Sequence, residues 1–180
     1  QVGDRIGGKY QVYRVLGGEG KSGMGIVYIC LDTQVWGVCA LKTFQDRYLQ
    51  NERIRNMFRQ EALAWVHLER HPYIVRAMGV EELDRRLFII LEYISPDDEG
   101  RNNLTHYLRR SVPLRQALEW GIQFCHAMEY AASRGVTPHR DIKPENIMID
   151  SAGEVKVADM GLAKEVGGSE GGITMAGERL

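Results

Sequence analysis

Residues 10–16 and 26–31 carry the apolar and polar spacing of strands, and a glycine-rich stretch separates them. A third run, Val38-Cys39-Ala40-Leu41-Lys42-Thr43-Phe44, alternates with period two, so Val38, Ala40, Lys42 and Phe44 share one face. A lysine therefore points where apolar neighbours point, which is costly unless its ammonium meets an anion. The next segment is helical in period: Ile54, Phe58, Glu61, Trp65 and Leu68 recur every three or four positions. Glu61 interrupts this apolar stripe, and an ion pair with Lys42 would satisfy both charges. Residues 87–94 read as a buried strand, and 95–103, rich in Pro, Asp, Gly and Asn, as a connection between two units. Beyond it, Leu114, Leu118, Gly121, Cys125, Met128 and Ala132 form a helical stripe that requires an apolar partner.

Ile147-Met148-Ile149 and Val155-Lys156-Val157 flank Asp150-Ser151-Ala152-Gly153-Glu154, a cluster with turn chemistry. A hairpin centred on Ala152 and Gly153 would set Asn146 opposite Asp159 at its open end. An amide carbonyl and a carboxylate there are hard oxygen donors suited to magnesium, which takes its remaining ligands from water and substrate phosphates. Just before lies His139-Arg140-Asp141-Ile142-Lys143-Pro144-Glu145-Asn146, and just after, Asp159-Met160-Gly161. Asp141 could accept the proton of an attacking hydroxyl, and Lys143 could meet a transferring phosphate. The chemistry these residue types point to is phosphoryl transfer.

In these motifs the chain resembles a eukaryotic-type, or Hanks-type, serine/threonine protein kinase, such as bacteria also carry. The resemblance implies an α+β, bilobal fold: an antiparallel N-lobe sheet with one main helix over 1–94, then a hinge connection and partial helical C-lobe over 95–180. It implies transfer of the γ-phosphoryl of ATP, with Mg2+, to a Ser/Thr hydroxyl of a protein substrate. Asp141 would be the catalytic base, Lys143 would contact the phosphate, and Asn146 and Asp159 would hold the metal. Lys42, paired with Glu61, would meet the α- and β-phosphates. Gly18, Gly20, Gly23 and Gly25 would form the phosphate loop, with Lys21 and Ser22 read as an insertion at its tip. Val27 and Ala40 would enclose the adenine, Leu91 would stand beside its pocket, and the backbone of Glu92 and Ile94 would bond its edge. Asp97 or Asp98 could reach the ribose. Ser169 and Thr174 are candidate phosphorylation sites, and Arg140 is the matching phosphate-binding arginine. Several positions depart from the family pattern. Met160 replaces the usual phenylalanine, Trp65 faces small Ala77 across a packing column, and Glu178 stands where a threonine is usual.

Gly20-Lys21-Ser22 also suggests a P-loop NTPase, but position 15 is Val15 where that pattern needs glycine, and Gly23-Met24-Gly25-Ile26-Val27 begins a strand better than a helix. A second alternative is a kinase-like module that binds nucleotide or a partner without catalysis, because the family's Ala-Pro-Glu signature and its later helices are missing after the glycine-rich tail 167–180. The start at Gln1 and the end at Leu180 suggest excision from a longer protein whose C-terminal part is absent. The 180 residues are 44% hydrophobic with a formal net charge of −1, which permits a sizeable core and argues against nucleic acid or anionic membrane as the main partner. Cys30, Cys39 and Cys125 show no metal-site or paired spacing, which with the absence of a leader or membrane segment points to a cytoplasmic setting.

Overall fold

In a computed structural model, residues 1–17, 25–46, 50–136 and 141–159 are described. Strands β1 (Arg5–Ile6), β2 (Tyr10–Gly17), β3 (Gly25–Asp32), β4 (Gly37–Phe44), β5 (Ala77–Leu83) and β6 (Arg86–Glu92) form one antiparallel sheet ordered β1-β2-β3-β4-β6-β5. Opposite residues of an antiparallel pair project to the same side. The registers Val27↔Lys42↔Ile89 and Ile29↔Ala40↔Leu91 therefore gather one face, and Cys30↔Cys39 and Leu41↔Ile90 the other.

Helix α1 (Glu52–His67) covers the first face. It begins at Asn51, whose side-chain oxygen accepts the Ile54 amide, with Glu52 favourable in the first turn. Its expected stripe is the buried one: Ile54, Phe58, Glu61, Trp65 and, just past the helix, Leu68. Phe58 meets Phe44 of β4 edge to face at 5.3 Å. The opposite face of the sheet buries Tyr10, Val12, Cys30, Cys39, Leu41, Phe88 and Ile90. The two cysteines thus sit directly opposite each other across the 33–36 turn. Burial pushes the Cys30 thiol up to about 12 and the Cys39 thiol to about 11, so neither is a ready nucleophile.

After the 95–103 connection come short α2 (Leu104–Tyr107), long α3 (Leu114–Ser133) and the hairpin β7 (Ile147–Ile149) and β8 (Val155–Val157). Helix α3 seats the hairpin through Trp120, whose indole donates to Gly153 O at 2.8 Å, and Gln123, which accepts the Val155 amide at 2.9 Å. The face it buries is Trp120, Ala127 and Ala131. The stripe named from the sequence lies mostly on the other side, with Leu114, Leu118 and Cys125 exposed, because the hairpin already occupies the inner face. Tyr130 donates to Leu68 O at 2.8 Å and stacks on His71 at 4.5 Å, fixing α3 against the end of α1.

Truncating Phe58 to alanine removes the ring that seats α1 on the sheet. Phe58→Ala should cost about 3–5 kcal/mol in urea unfolding; a loss below about 1 kcal/mol would contradict this packing.

Candidate active site

Lys42 leaves β4 on the α1 face, and its Nζ lies 2.8 Å from Glu61 Oε1 and 2.8 Å from Asp159 Oδ1. The Glu61 side chain is 1% exposed, that of Lys42 12%, and that of Asp159 36%, so the ammonium is closed in from the helix side and opens toward Asp159. Burial alone would lower the Lys42 pKa, but the charges of Asp159 and Glu61 outweigh it and hold the lysine protonated. For Glu61 burial wins and its carboxyl titrates above the ordinary range despite Lys42. For Asp159 burial is overcome by Lys42, and its carboxyl lies below the ordinary range. Asp159 is therefore the more firmly ionised of the two. Its backbone takes a left-handed φ of 56°, which a short polar side chain tolerates better than a branched one.

Across from this triad, the loop before β7 supplies the second group. Lys143 Nζ lies 2.7 Å from Asp141 Oδ2, and Asn146 Nδ2 donates to Asp141 O at 2.9 Å and to Asp141 Oδ2 at 3.1 Å. With its amide nitrogen used in this way, Asn146 turns its side-chain carbonyl oxygen elsewhere. Asn146 closes a 3-10 turn begun by Pro144 and is itself buried. The hairpin differs from expectation by one step. The pairs Ile147↔Val157 and Ile149↔Val155 centre it on Ala152, so Ala158, not Asp159, faces Asn146 and donates to its backbone carbonyl at 2.8 Å. The cause is a five-residue turn, 150–154, in which Asp150 Oδ1 caps the amides of Ala152 and Glu154 and Gly153 takes φ 80°. Asp159 is one residue beyond the pair, where its left-handed backbone turns it to Lys42.

The residues expected beside the adenine share the α1 face of the sheet. Ile29↔Ala40↔Leu91 is one row and Val27↔Lys42 the next, with Ala40 and Leu91 buried and Val27 partly so. The amide N–H of Glu92 donates to Arg76 O at 3.0 Å and its carboxylate accepts the Arg76 amide at 2.7 Å, so only its carbonyl could serve a nucleotide. Ile94 is buried, and its carbonyl accepts from Asn102 Nδ2 at 3.1 Å. Asp97, expected to reach the ribose, has its carboxylate engaged within its own loop. It accepts the Glu99 and Arg101 amides, Arg101 Nε and Tyr107 Oη, the Arg101 amide first among the contacts that hold its carboxyl down at about 2. Asp98 stays exposed.

Of the glycine-rich stretch, Gly25 opens β3, while Gly18, Gly20 and Gly23 lie outside the described residues. So do Arg140, Ser169, Thr174 and Met160. Gly17, outside the expected phosphate-loop set, carries a backbone demand: φ is 80°, and a Cβ there would come 2.8 Å from Gly25 O. Gly25–Asp32 is a strand rather than the helix that a P-loop needs after its lysine. Among the described residues no group of three or more His, Cys, Asp or Glu could hold a metal. Asn146 and Asp159 carry the hard oxygen donors that could hold a magnesium ion whose shell is completed by phosphate and water.

An antiparallel sheet with one helix, a buried Lys–Glu pair on its inner face and an Asp–Lys–Asn loop before a hairpin followed by aspartate are the parts that the resemblance to a protein kinase implies. Residues 10–179 match the protein kinase domain family, and the chain belongs to it. It is 36% identical to the serine/threonine-protein kinase PrkC of Bacillus subtilis over 164 residues, 90% of this chain and 24% of that protein. It is 34% identical to Aurora kinase B of Danio rerio over 146 residues, 79% of this chain and 43% of that protein. The crystal structure of the Mycobacterium tuberculosis PknI kinase domain superposes with a TM-score of 0.70 at 26% identity, over 91% of this chain and 62% of that one. The chain thus spans about a quarter of the length of the bacterial relative PrkC.

Replacing Lys42 with methionine removes the cation that opposes burial at both carboxylates, raising the folded pKa of Glu61 further above its unfolded value and lifting that of Asp159 from below to above its own. Stability is then retained at acid pH and lost as pH rises through the folded values. Urea unfolding of Lys42→Met should show a deficit that grows as pH rises above the unfolded carboxylate range of about 4 and reaches about 3 kcal/mol. A pH-independent deficit would contradict the assignment.

Proposed function

We propose that this chain binds Mg-ATP between the sheet and the 141–159 segment and passes the γ-phosphoryl group to a Ser/Thr hydroxyl of a protein substrate. One observation carries the reading: Lys42 joins Glu61 and Asp159 on one side, and the Ala158 amide bonds the Asn146 carbonyl to bring Lys143, Asp141 and Asn146 to the other. Lys42, held by Glu61, would anchor the α- and β-phosphates. Val27, Ala40 and Leu91 would enclose the base, with the Glu92 carbonyl and Ile94 backbone along its edge. Gly25, together with Gly18, Gly20 and Gly23, would line the phosphates.

Asn146 and Asp159 would hold Mg2+. When bound, magnesium neutralises charge on the phosphate oxygens. Asp141 would orient the incoming hydroxyl and take its proton, and Lys143, 2.7 Å from it, would offer a cation to the charge of the transferred group. The two lobes would meet at 94/95, where the connection leaves the sheet. Arg140, Ser169 and Thr174 would form a phosphorylation switch on the segments flanking the site. Near-neutral charge and three free thiols suit a cytoplasmic enzyme acting on protein rather than nucleic acid, and no helix among the described residues is long and apolar enough to cross a membrane.

The test is Mg-ATP-dependent phosphate incorporation into a generic Ser/Thr protein substrate. Asp141→Asn should lower the rate by about 100-fold or more while preserving the rise in melting temperature that Mg-ATP produces. Equal incorporation by the two proteins would reject catalysis by this site.

A further inference from the structure

We propose that Trp65 is a positioning residue whose indole N–H latches α1 to the 73–75 segment and thereby holds Glu61 and Asp159 on the same Lys42. Trp65 follows Glu61 by one helical turn and shares its face. It is 1% exposed, and its Nε1 donates to Val75 O at 2.7 Å in a buried hydrogen bond. Val75 in turn donates to Val157 O at 2.9 Å, and Val157 donates to Tyr73 O at 2.9 Å, so the 73–75 segment runs as a parallel neighbour of β8. Two residues after Val157 comes Asp159, bonded to Lys42, which is bonded to Glu61. The contacts close a ring through α1, 73–75, β8 and the ammonium.

An apolar core position needs only volume, which leucine or methionine would supply. An indole also carries one donor in a fixed direction, and a buried donor must be satisfied, so this bond sets where the helix can sit. The ring face reinforces it: Lys42 Nζ lies 5.5 Å from the Trp65 centroid, within range of cation–π attraction. A helix displaced along the sheet would break the Val75 bond and carry Glu61 off Lys42 together.

The inference rests on the nucleotide-site reading above, and the test separates the two. Trp120 makes the same kind of bond, to Gly153 O at 2.8 Å, at the turn of the hairpin, and is a matched control. Trp65→Phe should weaken Mg-ATP binding about tenfold, the worth of one net hydrogen bond, whereas Trp120→Phe, with a similar loss in Tm, should stay within about twofold. In nucleotide-free protein, Asp159→Asn should shift the Trp65 indole N–H resonance and leave that of exposed Trp36 in place. Equal effects of the two Phe variants, or an unmoved Trp65 resonance, would overturn the latch. If the native chain bound no Mg-ATP, the function reading would fail and the resonance would still decide the latch.

Discussion

One buried ammonium, shared by two carboxylates 19 and 117 positions away, is the constraint on which the other parts of this molecule converge. The alternation of β4 delivers Lys42 to the inner face, the period of α1 delivers Glu61, and the β7–β8 hairpin delivers Asp159. None of the three could be buried alone, since an unpaired charge loses more hydration than packing returns. Two carboxylates around one lysine also leave a net negative charge. That surplus sits on Asp159, the more exposed and more firmly ionised partner, which is where a divalent cation would be drawn.

The supports of this triad are themselves polar and at least partly buried. Trp120 and Gln123 hold the hairpin from α3, Tyr130 holds the end of α1, and Trp65 joins α1 to 73–75. Each joins a side-chain donor or acceptor to a backbone group, so the elements are fixed in direction as well as in distance. Apolar packing fills the space between them, but such contacts set which residue stands opposite which.

How far the sequence could be read depends on these two kinds of contact. Lys42 and Glu61 were legible because each breaks an apolar period, and a charge inside a hydrophobic pattern announces a partner. The hairpin was legible in position but not in register, since whether a turn centres on one residue or between two depends on how Asp150 caps it. Asp97 looked like a free acidic loop residue, yet Arg101 four positions on was a signal that it closes its own loop. The outer stripe of α3 misled because the helix is apolar on more than one side. Cys30 and Cys39 could have been paired by counting outward from the 33–36 turn. The Trp65 bond to Val75 could not have been found this way, because a backbone carbonyl acceptor leaves no trace in residue identity.

The central claim, that one ammonium satisfies both carboxylates, is tested most directly by a double-mutant cycle on stability with Glu61→Gln and Asp159→Asn. Each single variant leaves Lys42 one charged partner, whereas the double variant leaves a buried cation with none. The double loss in urea unfolding at neutral pH should exceed the sum of the single losses by about 1–3 kcal/mol. Losses that add within about 0.5 kcal/mol would show that the carboxylates do not share the lysine.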